Sequence, residues 1–105
     1  MVTPEATSQL SSLRQTIDNI DAALVHILAE RFRCTDRVGA LKARYRLQAV
    51  DQAREKQQYQ RLTALAEQAC IDKVFVEKLM TFIISEVVQR HRQIAADNDA
   101  SPSQG

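Results

Sequence analysis

The chain has 105 residues, 45% apolar and only 5% aromatic, with a formal net charge of +1. That length fits one small domain with a mainly aliphatic core. Its 14 basic and 13 acidic residues are interspersed, leaving no footprint for nucleic acid or an anionic membrane; no apolar run approaches the roughly 18–20 residues of a membrane span.

The opening Met1-Val2-Thr3-Pro4-Glu5 lacks the basic and apolar regions of a signal peptide. Residues 1–7 read as a tail. From Ser8 to Tyr45 there is no proline, and apolar residues recur at helical spacing: Leu10, Leu13, Ile17, Ile20, Leu24, Leu28 and Val38 share one face. This first helix is expected to be on the order of 55 Å long. A break near Leu47–Val50 leads to Asp51, a natural N-cap for a second helix to about Ala69. Cys70-Ile71-Asp72 reads as a tight connection, with Asp72 capping a third helix to about Ala96. Residues 97–105 are polar and expected to be disordered. Cys34 and Cys70 form no pattern and are expected as small buried or half-buried thiols, in a reducing cytoplasm. The fold class is all-α, with one long and two shorter helices. A lone chain has too little to cover the long helix's stripe, so a symmetric dimer packed along these helices is expected.

Polar residues on the apolar faces carry the functional signal. Arg31 and Lys42 project within roughly 20° of each other, near the centre of the first stripe. On helix two, Tyr59, Leu62, Ala66 and Ala69 set the apolar face; Glu55 and Asp51 project onto it and Arg54 lies to one side. On helix three, His91 falls within the stripe of Val76, Leu79, Met80, Ile83, Val87 and Ile94. A core salt-bridge network of Glu55 with Lys42 or Arg31 is the plain alternative. Yet one or two carboxylates do not balance two inward cations and a histidine, and buried ion pairs stabilise weakly. A ligand site is the better reading.

Spacing gives that ligand a size. Arg31 and Lys42 lie about 16 Å apart along the axis, which suits a small molecule. Arg14 is about 25 Å from Arg31, beyond easy reach within one chain. An antiparallel partner could bring its own Arg14, giving cations at both ends of the site. That pattern suits a dicarboxylate. Neither a zinc-ligand cluster nor a nucleophilic triad is visible, and His26 reads as a solvated or interfacial side chain. No metal or cofactor is expected. Chemistry here would rest on charge placement and confinement.

At these residues the sequence resembles the all-helical chorismate mutases. Leu13-Arg14-x-x-Ile17-x-x-x-Asp21 is similar to the family's opening motif. Leu28-Ala29-Glu30-Arg31 matches its second arginine segment, and Val38-Gly39-x-x-Lys42 its glycine and lysine. Asp51-x-x-Arg54-Glu55 matches the acidic motif opening helix two, and Ile83-Ile84 fits the final segment. The resemblance spans about Leu10 to Ile94 and implies an intertwined homodimer with two sites. Each would combine Arg14 of one chain with Arg31, Lys42, Asp51, Arg54 and Glu55 of the other. Arg14 and Arg31 would hold the carboxylates of chorismate, Lys42 would donate to its ether oxygen, and Glu55 with the backbone at Asp51 would hold its hydroxyl. Val87 and His91 stand where the best-known members carry a small hydroxyl residue and Gln or Glu; His91 is expected to donate to the ether oxygen in either protonation state, given the right tautomer, whereas Val87 cannot hydrogen-bond a carboxylate. The implied activity is the pericyclic rearrangement of chorismate to prephenate, a step towards Phe and Tyr.

Isochorismate–pyruvate lyase shares this fold and much of this constellation, and a mutase acting on an amino analogue is a third reading. Arg54-Glu55 and Lys42 lean towards the mutase. From another class, a helical dimer with an anion pocket and no turnover would not need a cation at position 42. No regulatory domain is expected within these residues.

Overall fold

The computed structural model describes residues 3–100. Among them all regular structure is helical: α1 (Pro4–Arg44), α2 (Gln52–Gln68) and α3 (Lys73–Ala100). The expected tails are shorter than the sequence pattern implied. Thr3 caps α1, with its Oγ1 accepting from the backbone N–H of Ala6 at 3.1 Å. Pro4 then fills the first helical position, where its missing N–H costs nothing. α3 runs on through 97–100, four residues expected to be disordered. The remainder of that tail, 101–105, lies outside the described residues.

The chain divides into two compact units, Met1–Cys34 and Thr35–Gly105. The described part of the first is one helical segment. A lone helix has nothing within its unit to pack on, so its apolar stripe stands open: Leu10, Leu13, Ile17, Ile20 and Leu24 are all exposed, Ile20 by 60%. Its one ion pair among the described residues joins Arg33 to Glu30, one turn back, at 2.7 Å.

The core lies in the second unit. Ala43 at the end of α1, Ala66 of α2, and Met80, Ile83 and Ile84 of α3 are its buried apolar residues. Gly39 and His91 are buried with them. The sequence placed Ala66, Met80 and Ile83 on inward faces. α2 and α3 are also tied by a 2.7 Å hydrogen bond between Tyr59 Oη and Thr81 Oγ1.

Two loops close this unit, and each starts from a left-handed residue. Arg46 (φ 57°) follows α1 and Cys70 (φ 56°) follows α2. Beyond them, the N–H of Leu47 donates to the Lys42 carbonyl at 2.7 Å, and that of Ile71 to the Ala66 carbonyl at 3.0 Å. These bonds satisfy carbonyls that a helix end leaves open. Both following helices are capped by aspartate, as the sequence predicts. Asp51 Oδ1 accepts from the N–H of Arg54 at 3.0 Å, and Asp72 Oδ1 from that of Val74 at 3.1 Å. Lys73 pairs with Glu67 across the second turn.

Both cysteines are exposed, which corrects the expected burial. Cys70 sits in the turn itself, outside either helix face, and Cys34 ends a unit that has no second element to cover it.

Candidate functional site

Lys42 occupies the last turn of α1, where the chain folds back around it. Its carbonyl accepts from Leu47, and its half-buried ammonium donates to the Ala49 carbonyl at 3.2 Å. Among the described residues the ammonium forms no ion pair. An ammonium in such a partly desolvated setting is worth more to an incoming anion than one in water.

An open cleft of about 590 Å³ lies on the α3 side of Lys42. Its walls are Lys42 and Ala43, the loop residues Leu47–Val50, and His91, Arg92, Ala95, Ala96 and Asp99 of α3. A second cleft continues past Lys42 to Asp51 and Gln52, at the start of α2. Lys42 lines both. The second unit thus brings together three predicted site residues: Lys42, His91 and Asp51.

His91 is 4% exposed. Its Nε2 lies 2.7 Å from the Thr35 carbonyl oxygen. A carbonyl only accepts, so Nε2 carries the proton. Nδ1 is buried without a partner. The neutral ring therefore has no N–H left to offer a ligand, which corrects the expected donation to the ether oxygen from the neutral form. Arg90, the preceding residue, grips Asp36 with two parallel hydrogen bonds of 2.9 and 2.7 Å. That fork, reinforced by the guanidinium's charge, holds the Asp36 carboxyl below its ordinary range and raises the Arg90 guanidinium further.

Other predicted residues stand apart from these clefts. Glu55 and Val87 are half-buried and Arg54 is exposed, and none of them lines either cleft. The Arg54 guanidinium bonds to Gln57 Oε1 at 3.0 Å. Asp51 is exposed, since its carboxylate serves as the helix cap. Arg14 and Arg31 belong to the first unit. Arg14 is exposed, whereas Arg31 is half-buried and its Nη1 is buried without a hydrogen-bond partner. An orphaned guanidinium nitrogen is costly to maintain and calls for an acceptor. His26 is exposed.

The family profile described as chorismate mutase type II matches residues 13–92. The chain belongs to that family. The matched span begins one residue before Arg14 and ends one residue after His91, so it contains every residue the sequence singled out for the site. No curated protein matches the chain. The family is all-helical, in agreement with the three helices described. Among the described residues no helix is long and apolar enough to cross a membrane, and no cluster of His, Cys, Asp and Glu could hold a metal.

Three residues escaped the sequence reading: Thr35, Asp36 and Arg90, which with Gly39 form the contact between the end of α1 and α3. Gly39 packs against His91. Asp36 and Arg90 are 54 residues apart, and opposite charges at such a separation carry no local signal.

Proposed function

We propose that this chain is a chorismate mutase, converting chorismate to prephenate in Phe and Tyr biosynthesis. Lys42 carries the reading. It is a half-buried ammonium within the family-matched segment, lining a cleft of small-molecule size, with a backbone carbonyl as its recorded hydrogen-bond partner. A family fold that kept only its shape would have no use for an unpaired cation there.

The reaction is an internal rearrangement needing no nucleophile, metal or cofactor. As the C–O bond breaks, negative charge grows on the ether oxygen. An ammonium fixed beside that oxygen stabilises the transition state more than the ground state. In this scheme Lys42 supplies that charge, exchanging the Ala49 carbonyl for the ether oxygen. Arg31 takes one substrate carboxylate, which would satisfy its orphaned Nη1. Glu55 and the backbone at Asp51 hold the ring hydroxyl, Arg54 supports them, and His91 completes the wall. Confinement of the curled substrate supplies the remainder of the rate.

The working unit in this proposal is an intertwined homodimer, with Arg14 reaching across to the other chain's site. The supporting observation is the open stripe from Leu10 to Leu24. A run of large aliphatic residues this long stays in water only at a high free-energy cost, and a second copy of the same stripe covers it in register. The exposed thiols of Cys34 and Cys70 suit a reducing cytoplasm.

Incubation of the purified protein with chorismate and, separately, isochorismate tests the reading. Prephenate from the first is expected, with Lys42→Ala slowing turnover by about 10²–10³-fold. Salicylate from isochorismate alone would make the protein a lyase on the same fold. No turnover of either would leave an anion-binding helical dimer.

A further inference from the structure

We infer that Asp36 and Arg90 form a positioning pair that fixes where the Lys42 ammonium stands in the cleft. Thr35, Gly39 and Lys42 lie at i, i+4 and i+7, on one face of the last turns of α1. Three contacts hold that stretch against α3. Arg90 forks onto Asp36. His91 donates to the Thr35 carbonyl. The His91 ring and the Ile94 side chain close over the bare Gly39. The next turns of α3 carry Arg92, Ala95 and Ala96, which face the same cleft as Lys42.

Magnitudes separate geometry from stability here. The two charged side chains remain 40% and 37% exposed. A pair so wet contributes little to stability. A planar two-bond fork nevertheless fixes direction as well as distance, which apolar contact does not. Asp36 is six residues before Lys42, about 9 Å along a rigid helix. A slide or roll of α1 against α3 that the fork permitted would carry Lys42 with it. Misplacement of a reacting group by about 1 Å can cost 10²-fold in rate.

The test compares wild type with Arg90→Gln, Arg90→Lys and the charge-neutral pair Asp36→Asn/Arg90→Gln. One readout is independent of turnover: the rate at which an amine-reactive acetylating reagent labels Lys42, measured by mass spectrometry against the exposed Lys56 and Lys78. Loss of the fork should change Lys42 labelling and leave the two reference lysines unchanged. The activity readout rests on the chorismate mutase reading. There kcat should fall about 10- to 100-fold with KM nearly constant, and Arg90→Lys should recover part of it, since a lysine keeps the charge and loses the fork. Unchanged Lys42 labelling, with only a lower melting temperature, overturns the inference whatever the activity. Altered labelling with unaltered kcat supports the positioning role and overturns the part given to Lys42 in turnover. If the wild type turns over neither substrate, the functional reading fails and labelling alone decides the positioning role.

Discussion

The imidazole of His91 fills the space that a side chain at Gly39 would need. A Cβ at that position would lie 2.6 Å from Cδ2 of the ring and 3.0 Å from Cδ1 of Ile94. The ring does not yield easily, because it is held by its bond to the Thr35 carbonyl. Gly39→Ala should therefore destabilise the protein even though alanine is worth about 1 kcal/mol more than glycine in a helix. Overpacking costs about 1–3 kcal/mol, and loss of the His91 bond adds about 1 kcal/mol. The melting temperature should drop by several degrees. A rise would mean that the ring does not sit over Gly39.

The same geometry constrains what His91 can do for a ligand. With Nε2–H committed to Thr35, the neutral ring offers only the lone pair of Nδ1. It can donate a second hydrogen bond only as the imidazolium. Nitrogen-15 NMR of the neutral protein should show a protonated Nε2 and a bare Nδ1; the opposite tautomer would refute the assignment. His91→Gln supplies two N–H donors, one for Thr35 and one for substrate. This variant should turn over chorismate at least as fast as wild type. A slower His91→Gln would show that His91 contributes something the amide does not supply.

Much of this architecture was legible in the sequence because it rests on local rules. Asp51 and Asp72 announce their helices through capping chemistry, and the 3.6-residue period places Met80 and Ile83 inside. The misses share a cause as well. Thr3-Pro4 begins a helix by the same capping logic, but the apolar stripe starts later and drew the boundary to Ser8. The turns at Arg46 and Cys70 lack the glycine that usually marks a left-handed residue. The clamp of Asp36 on Arg90 joins distant parts of the chain, and no periodicity reveals it. For the site, the period alone singled out Lys42 and His91. The bond that decides the proton position on His91 goes to a backbone carbonyl, which has no letter in the sequence.

Arg46 and Cys70 are the two non-glycine residues with positive φ among those described. The left-handed conformation costs a non-glycine residue about 1–2 kcal/mol, while glycine adopts it freely but loses more entropy on folding. Arg46→Gly and Cys70→Gly should each raise stability by about 0.5–1 kcal/mol. The sites sit in different loops, so the double variant should show the sum. Denaturant midpoints measure this, and a loss at either site would mean that its side chain makes contacts outweighing the strain.

Arg14 should act in trans. Arg14→Ala and Arg31→Ala chains should each be inactive alone in the proposed dimer. Mixed under conditions of proven subunit exchange, they should regain activity, because one of the two sites in each heterodimer contains both arginines. No recovery would argue for sites built within single chains. A compact, active monomer in the ultracentrifuge would remove the dimer altogether.

The Asp36–Arg90 fork should shape the acid limb of stability. The hydrogen bonds from Arg90, then its charge, hold the Asp36 carboxyl below its ordinary range in the folded chain, with the charge of His91 acting in the same direction and burial opposing. In the unfolded chain the carboxyl returns to about 3.9. The folded state therefore binds this proton less readily than the unfolded state. Its contribution is fully present above the unfolded value and is lost as pH falls through the lower folded value. Arg90 stays protonated throughout, so the asparagine variant isolates the carboxylate. Melting temperatures of wild type and Asp36→Asn should differ by a constant amount from about pH 7 to pH 5, then converge below about pH 4. All other carboxylates titrate equally in both proteins and cancel in the difference. The gap should be modest and should shrink in high salt, because the pair is partly exposed. Curves that stay parallel down to pH 2 would show that Asp36 stabilises the fold by packing, with no contribution from its charge.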